Sequence, residues 1–137
     1  VHRPGWRLGG RLAAGADCQS GMTVYAGVRR FLGSEVTVYL DRPMGSRHPR
    51  YGFVYPVNYG YVPGVPAPDG GDLDAYVLGV DEPLDQFTGV CVAILHRLDD
   101  NDDKLIVVPR GTEVSDDEIR AQTRFVEQHF ESELLHS

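Results

Sequence analysis

The stretch "DLDAYVLGVDEPLDQFTGVCVAILHRLDDNDDKLIVVP", residues 72–109, contains three short apolar runs separated by turn residues. The runs cover residues 74–80, 89–98 and 104–109, and valine and isoleucine are frequent in them. Short apolar runs with this composition, bounded by Asp, Gly and Pro, are typical of buried strands. This part of the chain therefore predicts a β-sheet core.

Earlier segments continue the same pattern. Further strands are predicted at "TVYAGV" (23–28), "SEVTVYL" (34–40) and "YGFVYPV" (51–57), where Pro56 confines the last to a strand end, an edge or a bulge. Gly- and Pro-rich turns such as "VPGVPAPDGG" separate the strands. Many short strands joined in this way predict a mainly β or α+β fold, built on a closed or partly open barrel.

A helix is predicted near the end of the chain. Ser115 and Glu118 have the spacing of a capping box, in which each side chain bonds the backbone N–H of the other residue. Spacings of three and four then relate the residues Ile119, Gln122, Val126, Phe130 and Leu134. Apart from Gln122 these form an apolar stripe, which we expect to pack on the barrel.

The chain has 137 residues, which suits one domain, and a formal net charge of −7. This charge disfavours a nucleic-acid-binding protein, which needs a basic face. No apolar run reaches the length of a membrane span and no signal peptide is visible, so we expect a cytoplasmic protein.

Residues 1–21 are arginine-rich and show no periodicity, which predicts a disordered extension or an overlong gene start, with a functional basic arm as the alternative. The domain would then span residues 22–137.

Two acidic clusters each precede an apolar run. The first contains Asp69, Asp72 and Asp74, and the second contains Asp99, Asp100, Asp102 and Asp103. Crowded carboxylates raise one another's pKa or bind a cation, and oxygen ligands alone select hard ions such as Mg²⁺, Mn²⁺ or Ca²⁺. Lys104 directly follows the second cluster and could bind a phosphate. Acidic runs between strands are also common as solvated turns, so neither cluster is specific alone.

Residues 47–64, "RHPRYGFVYPVNYGYVPG", contain groups that could donate hydrogen bonds to an anion. Arg47 is a cation in an acidic chain, Tyr55 and Tyr59 offer hydroxyls, and Asn58 offers an amide. Tyrosines in such a segment are often barrel packing residues with a solvated hydroxyl. Together with hard cations and a lysine, however, they are what phosphoryl-transfer hydrolysis requires.

"YPVNYGYVPG", followed by "DGGDLDAYVLG" and "DDNDDKLIVVP", resembles the soluble family I inorganic pyrophosphatases from about Ser34 to Pro109. The resemblance implies a five-stranded OB-like barrel with flanking helices. It also implies hydrolysis of inorganic diphosphate with Mg²⁺, Mn²⁺ being an alternative ion, and a homo-oligomer.

Carried over by position, the resemblance implies metal ligands at Asp69, Asp74 and Asp102, with a further ligand at Asp99 or Asp100 or both. It places Arg47, Tyr59 and Lys104 on the phosphate side, with Tyr55 and Asn58 supporting the site. The attacking nucleophile would be a metal-activated water, with Asp72 as the candidate general base and Asp69 as its substitute.

The sequence departs from the family pattern at several positions. The family signature reads Asp-x-Asp-(Pro or Glu)-x-Asp, but Gly71 occupies the middle aspartate position and Asp72 comes one residue later. Side chains expected to bind phosphate or metal are also replaced, at Thr37, Tyr39, Phe130 and Glu131. The alternative is therefore a catalytically weakened barrel that binds a metal–phosphate ligand without hydrolysing it.

Overall fold

The computed structural model describes residues 26–67, 71–99 and 102–136. In chain order, the elements are α1 (Ala26–Arg29), β1 (Glu35–Arg42), β2 (Asn58–Pro66), β3 (Asp72–Val77), β4 (Gln86–Arg97), β5 (Asp103–Val108), α2 (Asp116–Glu127) and β6 (Ser132–Leu135). The predicted extension at residues 1–21 lies outside the described residues. Neither α1 nor α2 is long and apolar enough to cross a membrane.

Five of the described strands close into a barrel. Neighbouring strands pair in the order β1–β2–β3–β5–β4, and β4 pairs back with β1 to complete the circle. All of these pairings are antiparallel except β3–β5, which is parallel. The short β6 adds to the outer part of β4. The predicted OB-like five-stranded barrel with a C-terminal helix is confirmed.

Strands β3 and β5 and the second half of β4 are buried on both faces, whereas β1 has exposed or half-buried residues at alternate positions. One apolar layer contains alternate residues of the strands, among them Val38, Leu73, Ala75, Val77, Ile94, Leu105 and Val107. A second layer contains Tyr59, Tyr76, Leu95, Ile106 and Val108, together with Ile119 of α2. The helix therefore covers the second layer. Because strand side chains alternate between faces, polar residues at alternate positions of β3 and β5 lie on the helix-covered side.

The N-terminus of α2 has the predicted capping box. The Ser115 hydroxyl accepts from the Glu118 N–H at 3.1 Å, and the Glu118 carboxylate accepts from the Ser115 N–H at 2.8 Å. The helix ends at Glu127, however, earlier than the predicted stripe. Phe130 lies in the following turn and Leu134 in β6, where it pairs with Leu95 of β4. The predicted continuation of the stripe is wrong because an extra strand pairing with β4 replaces the last helical turns.

Two predicted strands are also wrong. Residues 26–28 of the segment 23–28 belong to the helix α1, and residues 23–25 lie outside the described residues. The segment 51–57 contains only an isolated bridge between Arg47 and Val54, because its aromatic side chains pack on His48 in an irregular loop. The strand in this part of the chain begins at Asn58 instead and continues through two prolines to Pro66. Its pairing with β3 becomes irregular between Val62 and Pro66, which accommodates the prolines.

Candidate active site

Four polar side chains meet on the helix-covered side of the barrel. Asp74 of β3 lies opposite Lys104 of the parallel strand β5, and the Lys104 ammonium donates to Asp74 Oδ2 at 2.9 Å. Asp102 is two residues before Lys104, and its Oδ2 accepts from the same ammonium at 3.4 Å. The Tyr59 hydroxyl of β2 donates to Asp74 Oδ2 at 2.8 Å and accepts from Lys104 at 3.1 Å. We call Tyr59, Asp74, Asp102 and Lys104 the aspartate–lysine cluster.

The aspartate–lysine cluster is removed from solvent. The Lys104 side chain has no exposed surface, and those of Asp74 and Asp102 are each 4% exposed. Burial by itself lowers the pKa of Lys104, but the charges of Asp74 and Asp102 outweigh it and raise this pKa above its ordinary value. Burial, and then the charge of Asp74, raises the pKa of the Tyr59 hydroxyl. At neutral pH the lysine is therefore a cation and the tyrosine a neutral donor.

The structure thus brings together one member of each acidic cluster. Because Asp74 Oδ2 and Asp102 Oδ2 both contact Lys104 Nζ, these two oxygens can be no farther apart than the sum of the two contacts, 6.3 Å. Asp69 and Asp100, which were predicted to join them, lie outside the described residues.

Three other predicted site residues are described by the structure but have no described contact with the aspartate–lysine cluster. Asp72 is exposed at the start of β3, and strand alternation puts it on the same face as Asp74. The carboxylate of Asp99 accepts from the Glu131 N–H at 3.0 Å, beside the turn after β4. The Arg47 guanidinium is exposed and donates to the Gly52 carbonyl at 2.6 Å.

The two predicted supporting residues have different surroundings. The Tyr55 ring is buried, and its centroid lies 5.8 Å from that of Tyr59 in a stacked arrangement. The buried Asn58 amide instead ties two loops together, since its Oδ1 accepts from the Met44 and Leu84 N–H groups at 2.8 and 3.2 Å. Tyr55 thus packs against the cluster, while Asn58 supports the loops around β2.

A comparison with protein-family models shows to which family this chain belongs. The family model described as "Inorganic pyrophosphatase" matches residues 34–136, which include the whole barrel and α2. The chain belongs to the inorganic pyrophosphatase family. Members of this family hydrolyse inorganic diphosphate and are generally metal-dependent. A search of curated proteins found no match.

Solved structures show the same fold. The inorganic pyrophosphatase from Ehrlichia chaffeensis superposes with a TM-score of 0.58 at 19% identity, over 72% of this chain and 83% of its own. Those from Coxiella burnetii and Helicobacter pylori give TM-scores of 0.55 and 0.54 at 19% and 20% identity. Each alignment covers 74% of this chain, and 84% and 82% of the respective relative. At this level of identity, the likeness shows the pyrophosphatase fold.

The donors near Lys104 suit a hard metal ion. Among the residues that the structure describes, no three His, Cys, Asp or Glu side chains are placed to hold a metal ion together. Mg²⁺ is commonly held by only one or two protein carboxylates, with waters and phosphate oxygens completing its shell. Asp74 and Asp102 supply two hard oxygen donors whose present counter-ion is an ammonium. The pair therefore fits a site for a hard divalent cation.

Sequence reasoning missed a second group of buried charges in this pyrophosphatase. Arg97 at the end of β4 forms an ion pair with Glu127 at the end of α2, and the Tyr76 hydroxyl donates to Glu127 at 2.7 Å. On the opposite face of β4, His96 contacts Asp103 at 2.6 Å. The sequence feature that indicates these buried charges is His96–Arg97 at the end of an apolar run, because charged residues inside a buried strand need partners.

Proposed function

We propose that this chain hydrolyses inorganic diphosphate to two phosphates with Mg²⁺ as the metal ion. The observation that carries the proposal is Lys104 held between Asp74 and Asp102, because this places a phosphate-binding cation beside two metal-binding carboxylates in a chain of the pyrophosphatase family. Water adds to one phosphorus, the bridging P–O bond breaks, and the second phosphate leaves.

The acidic residues are proposed to hold the metal. Asp74 and Asp102 would bind Mg²⁺ together with Asp69, and Asp99 and Asp100 remain predicted ligands of a further ion. When bound, the metal lowers the pKa of a water and offsets the charge of diphosphate. Since Asp74 Oδ2 and Asp102 Oδ2 both contact Lys104, a metal ion that bound these same oxygens would displace part of this contact.

Lys104 is proposed to bind the phosphate as this contact changes. Its ammonium has three protons, and Asp74, Asp102 and the Tyr59 hydroxyl already accept them. The Asp102 contact is the longest, at 3.4 Å, and is the one we expect to be exchanged for a phosphate oxygen. The exchange would leave Asp102 Oδ2 available to hold the metal, while Asp74 and Tyr59 would keep the ammonium in position.

Arg47 and Tyr55 are proposed to complete the phosphate side. The Arg47 guanidinium is exposed beside the loop that precedes β2, so it can release the Gly52 carbonyl for a phosphate. The buried Tyr55 ring stacks on Tyr59, and we assign it the role of fixing the Tyr59 ring.

The general base is proposed to be Asp72, with Asp69 as its substitute. Asp72 is exposed on the face of β3 that carries Asp74, so its carboxylate can reach a water beside the metal-binding pair. The cytoplasmic location and the homo-oligomeric state stay predictions.

Gly71 favours the second candidate function, a barrel that binds a metal–phosphate ligand without hydrolysing it. At this position the family signature has the carboxylate that helps activate water, and glycine supplies none. Purified protein supplied with Mg²⁺ and diphosphate separates the two candidates, because only the enzyme releases phosphate. We expect release that depends on Mg²⁺ and stops with EDTA. Saturable binding of Mg²⁺-diphosphate without release would favour the binding protein.

A further inference from the structure

Arg97 is a fully buried cation that the proposed mechanism does not use. Its guanidinium donates to both carboxylate oxygens of Glu127, at 2.9 and 2.8 Å, and lies 3.8 Å from the centroid of the Phe130 ring. Its side chain has no exposed surface. Burial by itself lowers the pKa of Arg97, but the hydrogen bonds and the charge of Glu127 raise it above its ordinary value. The group is therefore permanently charged.

Strand register places this charge beside the aspartate–lysine cluster. Leu95 lies directly opposite Lys104, and the Arg97 N–H donates to the Asp102 carbonyl at 2.8 Å. Residues two apart on a strand share a face, and so do residues directly opposite on antiparallel strands. Arg97 and Asp102 are therefore neighbours on the face that carries Lys104.

A continuous set of contacts also joins Glu127 to the cluster. Tyr76 donates to Glu127 at 2.7 Å, and the Tyr76 ring centroid lies 4.9 Å from that of Tyr59. The Tyr59 hydroxyl in turn contacts Asp74 and Lys104. Glu127 thus anchors the Tyr76 hydroxyl, and the Tyr76 ring packs against Tyr59 of the cluster.

The signs of these charges determine what each member of the pair does. Arg97 by itself would repel a divalent cation from the neighbouring Asp74 and Asp102 carboxylates. The carboxylate of Glu127, bonded directly to the guanidinium, cancels most of this repulsion because opposite charges in contact act on a third charge as a dipole. The affinity of the aspartates for a cation then depends on Glu127 although Glu127 is not a ligand.

We propose that Glu127 is a positioning residue of the active site, which neutralises Arg97 so that Asp74 and Asp102 can bind a divalent cation. The inference rests on the proposed function, since it concerns the metal of the same site. The ion pair between β4 and α2 would then control the metal affinity of the site, although neither Arg97 nor Glu127 binds the metal.

The decisive variant is Glu127→Gln, which keeps the shape of the side chain and removes its charge. We expect its Mg²⁺ affinity, measured by titration calorimetry without diphosphate, to fall roughly tenfold or more, because Glu127 then no longer offsets the repulsion between Arg97 and a divalent ion. The Mg²⁺ concentration that gives half-maximal hydrolysis should rise by a similar factor, while kcat at saturating Mg²⁺ falls less.

The double variant Arg97→Leu with Glu127→Leu separates charge from packing. It removes both charges, leaves the net charge unchanged and should fold, since apolar replacement of a buried ion pair is commonly tolerated. We expect its Mg²⁺ affinity to return to within about threefold of wild type. A double variant that folds but binds Mg²⁺ as weakly as Glu127→Gln would overturn the charge argument and leave the pair a packing element. If Glu127→Gln does not fold, the double variant still tests the proposal, because the charge argument requires that the double variant bind Mg²⁺ with near-normal affinity.

Calorimetry also separates this inference from the proposed function. If the wild type binds Mg²⁺ and the variants follow the expected order, but no phosphate is released, the inference stands and the enzyme assignment fails. If the wild type hydrolyses diphosphate and Glu127→Gln binds Mg²⁺ normally, the inference is wrong and the function stands. If the wild type binds no Mg²⁺, the inference is wrong whether or not phosphate is released.

Discussion

Lys104 and Asp74 lie opposite each other on the parallel strands β5 and β3, and their side chains form a buried ion pair of 2.9 Å. Asp102 shares the same ammonium. In the protein without metal, Lys104 is therefore the counter-ion of two carboxylates that we propose as metal ligands. Lys104 and a metal ion would then compete for the charge of the same two carboxylates, and this competition would have consequences for stability.

Lys104→Met should destabilise the metal-free protein and make its stability depend on Mg²⁺. Breaking a buried ion pair by removing one partner costs about 3–5 kcal/mol, because the remaining charge stays buried. We expect this loss in urea unfolding at neutral pH with EDTA, and a partial recovery in millimolar Mg²⁺. The matched control is Arg110→Met, which breaks the exposed pair with Glu35 and should cost less than about 1 kcal/mol. Equal losses with and without Mg²⁺ would contradict the shared-ligand arrangement.

Asp102→Asn should lose Mg²⁺ affinity and activity together while the fold survives. The change removes a ligand charge, but Lys104 keeps its shorter contacts to Asp74 and Tyr59. We expect at least a roughly tenfold weaker Mg²⁺ affinity by calorimetry and little change in the melting temperature with EDTA. Asp81→Asn, at an exposed position in the loop between β3 and β4, is the control and should bind Mg²⁺ normally. Unchanged Mg²⁺ dependence in Asp102→Asn would mean that this ligand is assigned wrongly.

The stability of the protein should decrease as the pH rises through the titration of His96. Burial lowers the pKa of His96, but the hydrogen bond and charge of Asp103, and then the charges of Glu133 and Asp102, outweigh it and raise this pKa above 6.5. A group whose folded pKa is raised stabilises the fold fully below its unfolded pKa, and this contribution disappears as the pH passes the folded pKa.

Urea unfolding of the wild type between about pH 5.5 and 8.5, with EDTA, should therefore show a falling free energy of unfolding. In His96→Gln this decrease should become smaller, because glutamine hydrogen-bonds Asp103 without titrating. A wild-type protein whose stability rises across the same interval would contradict the charged His96–Asp103 pair.

The barrel and half of the candidate site could be predicted from local sequence patterns. Apolar runs flanked by turn residues located β1, β3, β4 and β5, because strand burial and turn chemistry are local properties. Asp74, Asp102 and Lys104 could be predicted to converge because each lies within two residues of the start of a strand, where crowded carboxylates need a shared counter-ion. The aromatic loop before β2 could not be predicted, since "YGFVYPV" has the composition of a strand and only its packing on His48 distinguishes it.

The Arg97–Glu127 pair could not be predicted for a different reason. Thirty positions separate the two residues, and their contact depends on where α2 crosses the barrel. The helical stripe identified the apolar face of α2, and Glu127 next to Val126 resembles an ordinary solvated residue at a helix end. Only tertiary packing shows that this carboxylate is buried and opposite an arginine.

Gly71 and Asp72 test whether the departure from the family signature changes the chemistry. If Asp72 is the general base, Asp72→Asn should reduce kcat by roughly 10²–10⁴-fold, the usual contribution of a positioned base, with a normal Mg²⁺ affinity. Gly71→Asp should then have little effect or crowd the site, because a base is already present. Asp72 lies on the same face of β3 as Asp74, so we expect Asp72→Asn to be the damaging change. Diphosphate hydrolysis by both variants at saturating Mg²⁺ is the measurement, with Asp117→Asn, on the exposed first turn of α2, as the control. An inactive wild type that gains activity in Gly71→Asp would show instead that the base has been lost and would favour the binding protein.

Full activity in both variants would mean that the reaction needs neither carboxylate, and the role of Asp72 as general base would be withdrawn.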